Sequence, residues 1–303
     1  MLENEEYQRR LHSKITRELG REVMTALQDD TVIEVMLNTD GRLWCDRLGE
    51  GMSCIGEMSM PNALALLGTI ADGLGTVITK QSPILEGELP LDGSRFEGLI
   101  PPVVARPTFT IRKKALLIYT LDDYVQQGIM NAKQKAQIQE AITARRNILV
   151  VGGTGSGKTT LTNAIIAEMV ALTPEDRLVI MEDTAEIQCK ADNAVILRTS
   201  IDISMQQLLR ATMRLRPDRI IVGEVRGAEA LALLKSWNTG HPGGIATLHA
   251  NSADSGLVRL EQLIAESGIH ADMKALIDEA VDLVIFIEKQ GGKRVIKEIK
   301  KFF

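Results

Sequence analysis

Gly152-Gly153-Thr154-Gly155-Ser156-Gly157-Lys158-Thr159 is the stretch that decides the fold. It satisfies the spacing G-x-x-x-x-G-K-[S/T], with a short apolar segment (147–151) before it and a helix-forming segment (158–172) after it. Glycines at these positions let successive backbone N–H groups turn inward toward phosphate oxygens. The positive end of the helix that follows adds to that field. Lys158 then reaches the β- and γ-phosphates, and the Thr159 hydroxyl can ligate Mg²⁺. The pattern implies a nucleoside triphosphate cradled by Gly152, Gly153, Thr154, Gly155, Ser156, Gly157, Lys158, Thr159 and Thr160.

Outward from this loop, short apolar strands are expected at 178–181, 195–198, 219–223 and 245–249. Helices are expected at 204–214, 228–238 and 253–267, and a closing hairpin at 282–288 and 293–300 about a Lys289-Gln290-Gly291-Gly292 turn. Strands alternating with helices predict a doubly wound α/β domain with a mostly parallel sheet. Upstream the pattern differs. Leu11, Ile15, Leu19, Val23 and Leu27 recur every fourth residue on an otherwise charged helix. Strands at 31–37 and 42–47 flank an Asn38–Gly41 turn, a helix is expected over 61–74, and further strands at 94–104 and 108–113. The reading is a smaller α+β N-terminal domain over 1–115, a linker over 116–131 and the P-loop α/β domain over 132–303.

Composition narrows the classes. The 303 residues suit two domains, each long enough for its own core. Thirty-five Lys and Arg against 40 Asp and Glu give a net charge of −5, and aromatic residues make up 3%. Neither the basic balance nor the stacking platforms of a nucleic-acid-binding protein is present, so no direct nucleic-acid binding is expected. Cys45, Cys54 and Cys189 form no C-x-x-C pair, which fits a reducing compartment rather than a disulfide or zinc framework. The opening MLENEEYQRRLHSKITRELG has no apolar signal region, and no run approaches the ~20 apolar residues of a membrane helix. A cytoplasmic protein with only peripheral membrane contact is expected.

Phosphate-loop hydrolases also need carboxylates at the ends of neighbouring strands. Two apolar segments end that way, 178–183 in Glu182-Asp183 and 219–224 in Gly223-Glu224. In a parallel sheet both ends fall near the phosphate loop. Taken in order, GGTGSGKTT, EDTAEI, LRPDRIIVGEVRGAEA and NTGHPGGIATLHANSA resemble the Walker A motif, Asp box, Walker B motif and His box of the secretion ATPases. That superfamily serves type IV secretion and conjugation, type II secretion and type IV pili. The resemblance covers nearly all of 140–290, and residues 237–250 with the compact length resemble its conjugal-transfer branch. It implies a RecA-like fold, Mg²⁺-dependent ATP hydrolysis, a hexameric ring in the family's manner, and partners in inner-membrane secretion or conjugation machinery. A pilus retraction or assembly motor, and a nucleotide-gated scaffold with little turnover, remain open alternatives.

Residue by residue, the resemblance implies that Glu182 positions the attacking water or the Mg²⁺ shell, Glu224 takes the Walker B role and His249 contacts the γ-phosphate. Thr159, Glu182 and Glu224 are the expected Mg²⁺ partners, direct or through water. Arginines that stabilise the transferring phosphoryl group come in this family partly from the N-terminal domain and a neighbouring subunit. The matching positions are Arg95, Arg112 and Arg226, with Arg214 and Arg216 also beside the Walker B segment. His241 precedes His249 by eight residues without an H-E-x-x-H pattern, which gives no support to a zinc site. The basic end (Lys293, Arg294, Lys297, Lys300, Lys301) interleaves with Val295, Ile296 and Ile299, as expected of a solvated edge strand.

Overall fold

The computed structural model describes residues 2–47, 50–114, 118–200, 202–268, 272–291 and 293–303. Two compact units, Met1–Leu116 and Leu117–Phe303, make up the chain. Leu116 and Leu117, where the linker was expected to begin, and Gly292 of the closing turn lie outside the described residues.

The first unit contains α1 (Leu2–Gln28), β1 (Val32–Leu37), β2 (Arg42–Arg47), β3 (Gly51–Glu57), α2 (Met60–Gly73), β4 (Ile84–Glu88), β5 (Arg95–Leu99) and β6 (Thr108–Arg112). Its six strands form an antiparallel sheet in the order β3-β2-β1-β6-β5-β4. The single helix expected over this stretch is kinked at Gly20 (φ 78°), yet the four-residue stripe still packs on both sides of the kink: Leu11, Ile15, Leu19 and Val23 are all buried. They share a core with Leu66, Leu67 and Ile70 of α2 and with Val35, Phe96 and Ile111 of the sheet. Ser59 starts α2 by accepting a hydrogen bond from the Asn62 N–H, with Pro61 in the first turn. The edge strands β3 and β4 escaped the sequence reading because Gly51, Gly56 and Gly87 break up their apolar alternation. The strand expected over 94–104 stops at Leu99, and Pro101 and Pro102 follow in a turn.

The second unit runs α3 (Leu121–Gln126), α4 (Ala132–Thr143), β7 (Ile148–Gly152), α5 (Lys158–Leu172), β8 (Leu178–Glu182), β9 (Ala194–Arg198), α6 (Met205–Thr212) and β10 (Arg219–Val222). It continues with α7 (Glu229–Asn238), β11 (Ile245–His249), α8 (Ala253–Ala265), α9 (Lys274–Ala280), β12 (Leu283–Gln290) and β13 (Lys293–Lys301). The sheet order is β13-β12-β7-β11-β10-β8-β9, parallel throughout except for the β12–β13 hairpin. Alternate residues of the central strands feed two cores. Ile148, Val150, Leu178 and Ile180 pack with α3, α4 and α5. Leu149, Val151, Ile220 and Val222 pack with α6, α7, α8 and α9 on the other face. Burying one Val, Leu or Ile contributes roughly 1.5–3 kcal/mol, so these strand interiors hold the sheet and leave the strand ends free to carry charged groups.

Part of the stretch expected as a linker is folded here. α3 begins at a Thr120–Asp123 capping box, and Leu121 and Tyr124 are buried in the core beside α5. At six residues that helix is too short to display a period in sequence. Because β7, β11, β10 and β8 are parallel neighbours, their carboxyl ends line one edge of the sheet, where ligands of such folds gather.

Candidate nucleotide site

The loop between β7 and α5 is a tight turn with Gly155 at φ 69° and Gly157 at φ 97°, conformations that strain any residue with a Cβ. A Cβ at Gly152 would lie 2.3 Å from the Ile287 carbonyl oxygen, so this position must also be glycine for the loop to leave the sheet. Gly157 caps α5 without a side-chain hydrogen bond to the first-turn N–H groups. Those donors are left facing the loop, as an anion cradle requires. The Ser156 hydroxyl is buried with no hydrogen-bond partner. An uncapped helix start and an orphaned hydroxyl in one glycine loop fit a polyphosphate.

Lys158 is buried, and its Nζ lies 3.0 Å from both the Gly152 and Gly153 carbonyl oxygens and 3.2 Å from His249 Nδ1. His249 ends β11 and is brought beside the loop by the parallel pairing of His249 with Gly152. Its Nε2 is 2.7 Å from Glu224 Oε1. Burial and then the Lys158 charge hold the imidazole below its ordinary value, with Glu224 opposing them. The neutral ring therefore accepts from Lys158 at Nδ1 and donates from Nε2 to Glu224. Glu224 in turn accepts from Arg226 Nε at 2.7 Å, and Arg226 Nη1 lies 3.3 Å from Asp183. Lys158, His249, Glu224, Arg226 and Asp183 thus form one polar chain across the ends of β7, β11, β10 and β8.

Glu182 is placed differently from the sequence reading. It is only 2% exposed, and its Oε2 accepts the backbone N–H groups of Glu186 and Ile187, both at 2.9 Å. Its other oxygen lies 3.6 Å from Arg198 Nε on β9, the residue paired with it in the ladder. Burial raises its carboxyl above the usual range against those stabilising contacts. The carboxylate that reaches the phosphate loop is Glu186, which accepts from the Thr159 hydroxyl at 3.0 Å. Asn163 of α5 fixes this segment from below, donating to the Glu186 carbonyl at 3.1 Å and accepting from the Gln188 N–H at 3.0 Å. Sequence reasoning missed Glu186 and Asn163. The signal for Glu186 was in the quoted EDTAEI segment, which carries a second Glu four residues after the first.

Thr160 follows Thr159 in the first turn of α5, and Thr154 lies in the loop itself. Of the arginines beside β10, Arg226 alone joins the polar chain; Arg214 and Arg216 precede the strand, at its opposite end, and are exposed. Arg95 and Arg112 belong to the first unit, where they are directly opposed across the β5–β6 ladder. His241 Nδ1 is 3.0 Å from the Pro217 carbonyl, a local tie. The residues present fit Mg²⁺ beside a polyphosphate: a threonine hydroxyl and carboxylates supply the hard oxygens that cation takes.

Comparison with known proteins agrees with this geometry. A family model described as type II/IV secretion system protein matches residues 77–290. A probable conjugal transfer protein TrbB of Sinorhizobium fredii is 55% identical over 96% of this chain and 89% of its own length. The crystal structure of the VirB11 ATPase from the Brucella suis type IV secretion system, in complex with sulphate, superposes with a TM-score of 0.51 at 26% identity, covering 98% of this chain and 96% of that one. The pilus retraction motor PilT with bound ADP shares the fold, with a TM-score of 0.67 at 18% identity, covering 92% of this chain and 82% of that one.

Proposed function

Because this chain belongs to the type II/IV secretion system protein family of ATPases, we propose that it hydrolyses ATP with Mg²⁺ as a ring-forming motor, in the hexameric form, for type IV secretion or conjugative transfer. The observation that carries this reading is the unbroken polar chain from Lys158 through His249 and Glu224 to Arg226 at the mouth of a glycine loop. A buried lysine, a neutral histidine and strand-end carboxylates around an uncapped helix start are what phosphoryl transfer requires: positioning and charge stabilisation.

In the mechanism, the loop N–H groups and Lys158 hold the β- and γ-phosphates, Lys158 exchanging the Gly152 and Gly153 carbonyls for phosphate oxygens. Mg²⁺ would be held by Thr159 with Glu186 and Glu224 ordering its water, and it would supply neutralisation of the negative charge of the phosphates. Glu224 orients the attacking water and His249 contacts the terminal phosphate. The water oxygen bonds to the γ-phosphorus as the β–γ bridge breaks, with the water proton passing toward Glu224. Glu182 keeps the Glu186 segment in place rather than touching the water. Arg226 stabilises the transferring group in cis, and the family resemblance implies the same role for Arg95 and Arg112.

Among the described residues no helix is long and apolar enough to cross a membrane. From the likeness to conjugal transfer and type IV secretion proteins, the proposed setting is the cytoplasmic face of the inner membrane, reached through partner proteins of the secretion machinery. Phosphate release from MgATP across a protein-concentration series tests the proposal. Specific activity that rises with concentration supports a site completed between subunits. Flat activity keeps the ATPase and locates the site within one chain or in a ring that does not dissociate over the series. No release at any concentration overturns the motor in favour of a scaffold.

A further inference from the structure

The basic end of the chain does not all face solvent. Arg294, in β13, lies across the start of α5, so close that a Cβ at Gly157 would be 2.8 Å from its Cδ and 3.0 Å from its Nε. Its Nε is buried with no hydrogen-bond partner, and no carboxylate pairs with its guanidinium among the described residues. A cation here is placed against the positive end of a helix and one residue from Lys158, where both neighbours repel it. Burying an unpaired donor in such a field costs free energy that nothing on the protein returns. An anion in the loop would offset it.

The strand order shows which part of that anion. Glu224, His249 and Glu186 approach the loop from the β8, β10 and β11 side of β7, so the phosphate to be cleaved points that way. Arg294 comes from the hairpin on the opposite side, where β12 pairs with β7. This is where a nucleotide whose γ-phosphate meets the acids must lead its α-phosphate and ribose. Two observations make the hairpin a fixed wall there. The Ile296 N–H donates to the Ile129 carbonyl at 2.8 Å, and Gln134 Nε2 donates to the Ile296 carbonyl at 2.9 Å. The Arg294 charge also opposes the upward push of burial on the Tyr124 phenol, which places that ring beside it on the same side.

We propose that Arg294 is a substrate-binding residue, gripping the α-phosphate and ribose end of the nucleotide from within the same subunit. The inference rests on the loop being a nucleotide site. Arg294 differs from a finger arginine in acting on ground state and transition state alike, and its signature is a change in affinity rather than in turnover.

The test is ADP and ATP binding by calorimetry, with steady-state hydrolysis, for the full chain carrying Arg294→Met, which keeps the aliphatic stem over Gly157, and Arg294→Lys, which keeps the charge. Thermal melting of each variant accompanies the titrations. Arg294→Met is expected to weaken ADP and ATP alike by about 10-fold or more, the loss of a charge-assisted contact. KM should rise by a similar factor with kcat falling less than about 3-fold, while Arg294→Lys recovers most of the affinity. ADP affinity unchanged in both folded variants, or a fall in kcat at unchanged KM, overturns the assignment. Lys158→Ala separates the two readings: wild type that binds no ADP sinks the site itself, whereas loss in Lys158→Ala with full binding in Arg294→Met sinks only the role of Arg294.

Discussion

His249 Nε2 lies 2.7 Å from Glu224 Oε1, and this contact joins the last residue of β11 to the carboxylate just beyond β10. The opposite ring nitrogen is 3.2 Å from Lys158 Nζ, so one neutral imidazole spans the lysine of the phosphate loop and the proposed Walker B acid. Each nitrogen has a distinct task, and the tautomer follows from the two partners.

That arrangement makes hydrolysis sensitive to mild acid. Burial and Lys158 lower the His249 proton affinity, so the ring stays neutral at pH 7. Protonation removes the acceptor that Lys158 uses. The stability this ring contributes is fully present above its ordinary value of 6.5 and is lost as pH falls through the lower folded value. We predict that kcat/KM holds at pH 6.5 and declines as pH falls further, through the lowered value of the folded ring, and that His249→Gln flattens this limb while lowering kcat by on the order of 10-fold or more. A pH–rate profile for both proteins checks this; an unchanged acid limb in His249→Gln contradicts it.

Glu182 and Glu186 should separate by phenotype. Glu186→Gln leaves the loop bonded through Asn163 and removes the carboxylate at Thr159. The expected result is nucleotide binding in EDTA near wild type, with Mg²⁺-dependent hydrolysis reduced by about 100-fold. Glu182→Ala instead frees two buried N–H groups and removes the carboxylate facing Arg198, and should lower stability by roughly 2–4 kcal/mol. Denaturant titration and metal-dependent turnover of the two variants distinguish them. Equal loss of stability in both is the result that would undo the division of labour.

Much of the site was legible in sequence because its parts sit at strand ends that announce themselves. β7, β8, β10 and β11 are continuous apolar runs, each followed by glycine, acid or histidine. Which of two glutamates turns outward was not legible, since Glu182 ends a buried strand and the segment after it folds back over its carboxylate. Arg294 was hidden for another reason. Its strand reads as a solvated edge, and only the tertiary fold carries that one side chain across Gly157. β3 and β4 lay below detection because edge strands with glycines need no apolar alternation.

At the opposite ends of the same strands, Arg219 is fully buried and its Nε is 2.5 Å from Asp176 Oδ2. Its remaining donors reach the Gly243 carbonyl at 3.2 Å and the Ile142 carbonyl at 3.0 Å, and Arg145 also pairs with Asp176. Arg219→Met takes from the Asp176 carboxylate its fully buried partner, leaving it Arg145, and should cost about 3–5 kcal/mol, whereas Arg219→Met with Asp176→Leu should cost clearly less. Urea denaturation of the single and double variants measures the difference. A double variant no more stable than the single one contradicts the account of this pair.

The central claim is that Glu224 acts on bound ATP rather than holding it, and a single-turnover experiment with γ-labelled ATP on wild type and Glu224→Gln tests it most directly. With protein in excess, both should retain the nucleotide on a filter. Wild type should release labelled phosphate, and Glu224→Gln should keep intact ATP with cleavage slowed by on the order of 100-fold or more. Cleavage in Glu224→Gln at the wild-type rate would contradict the account.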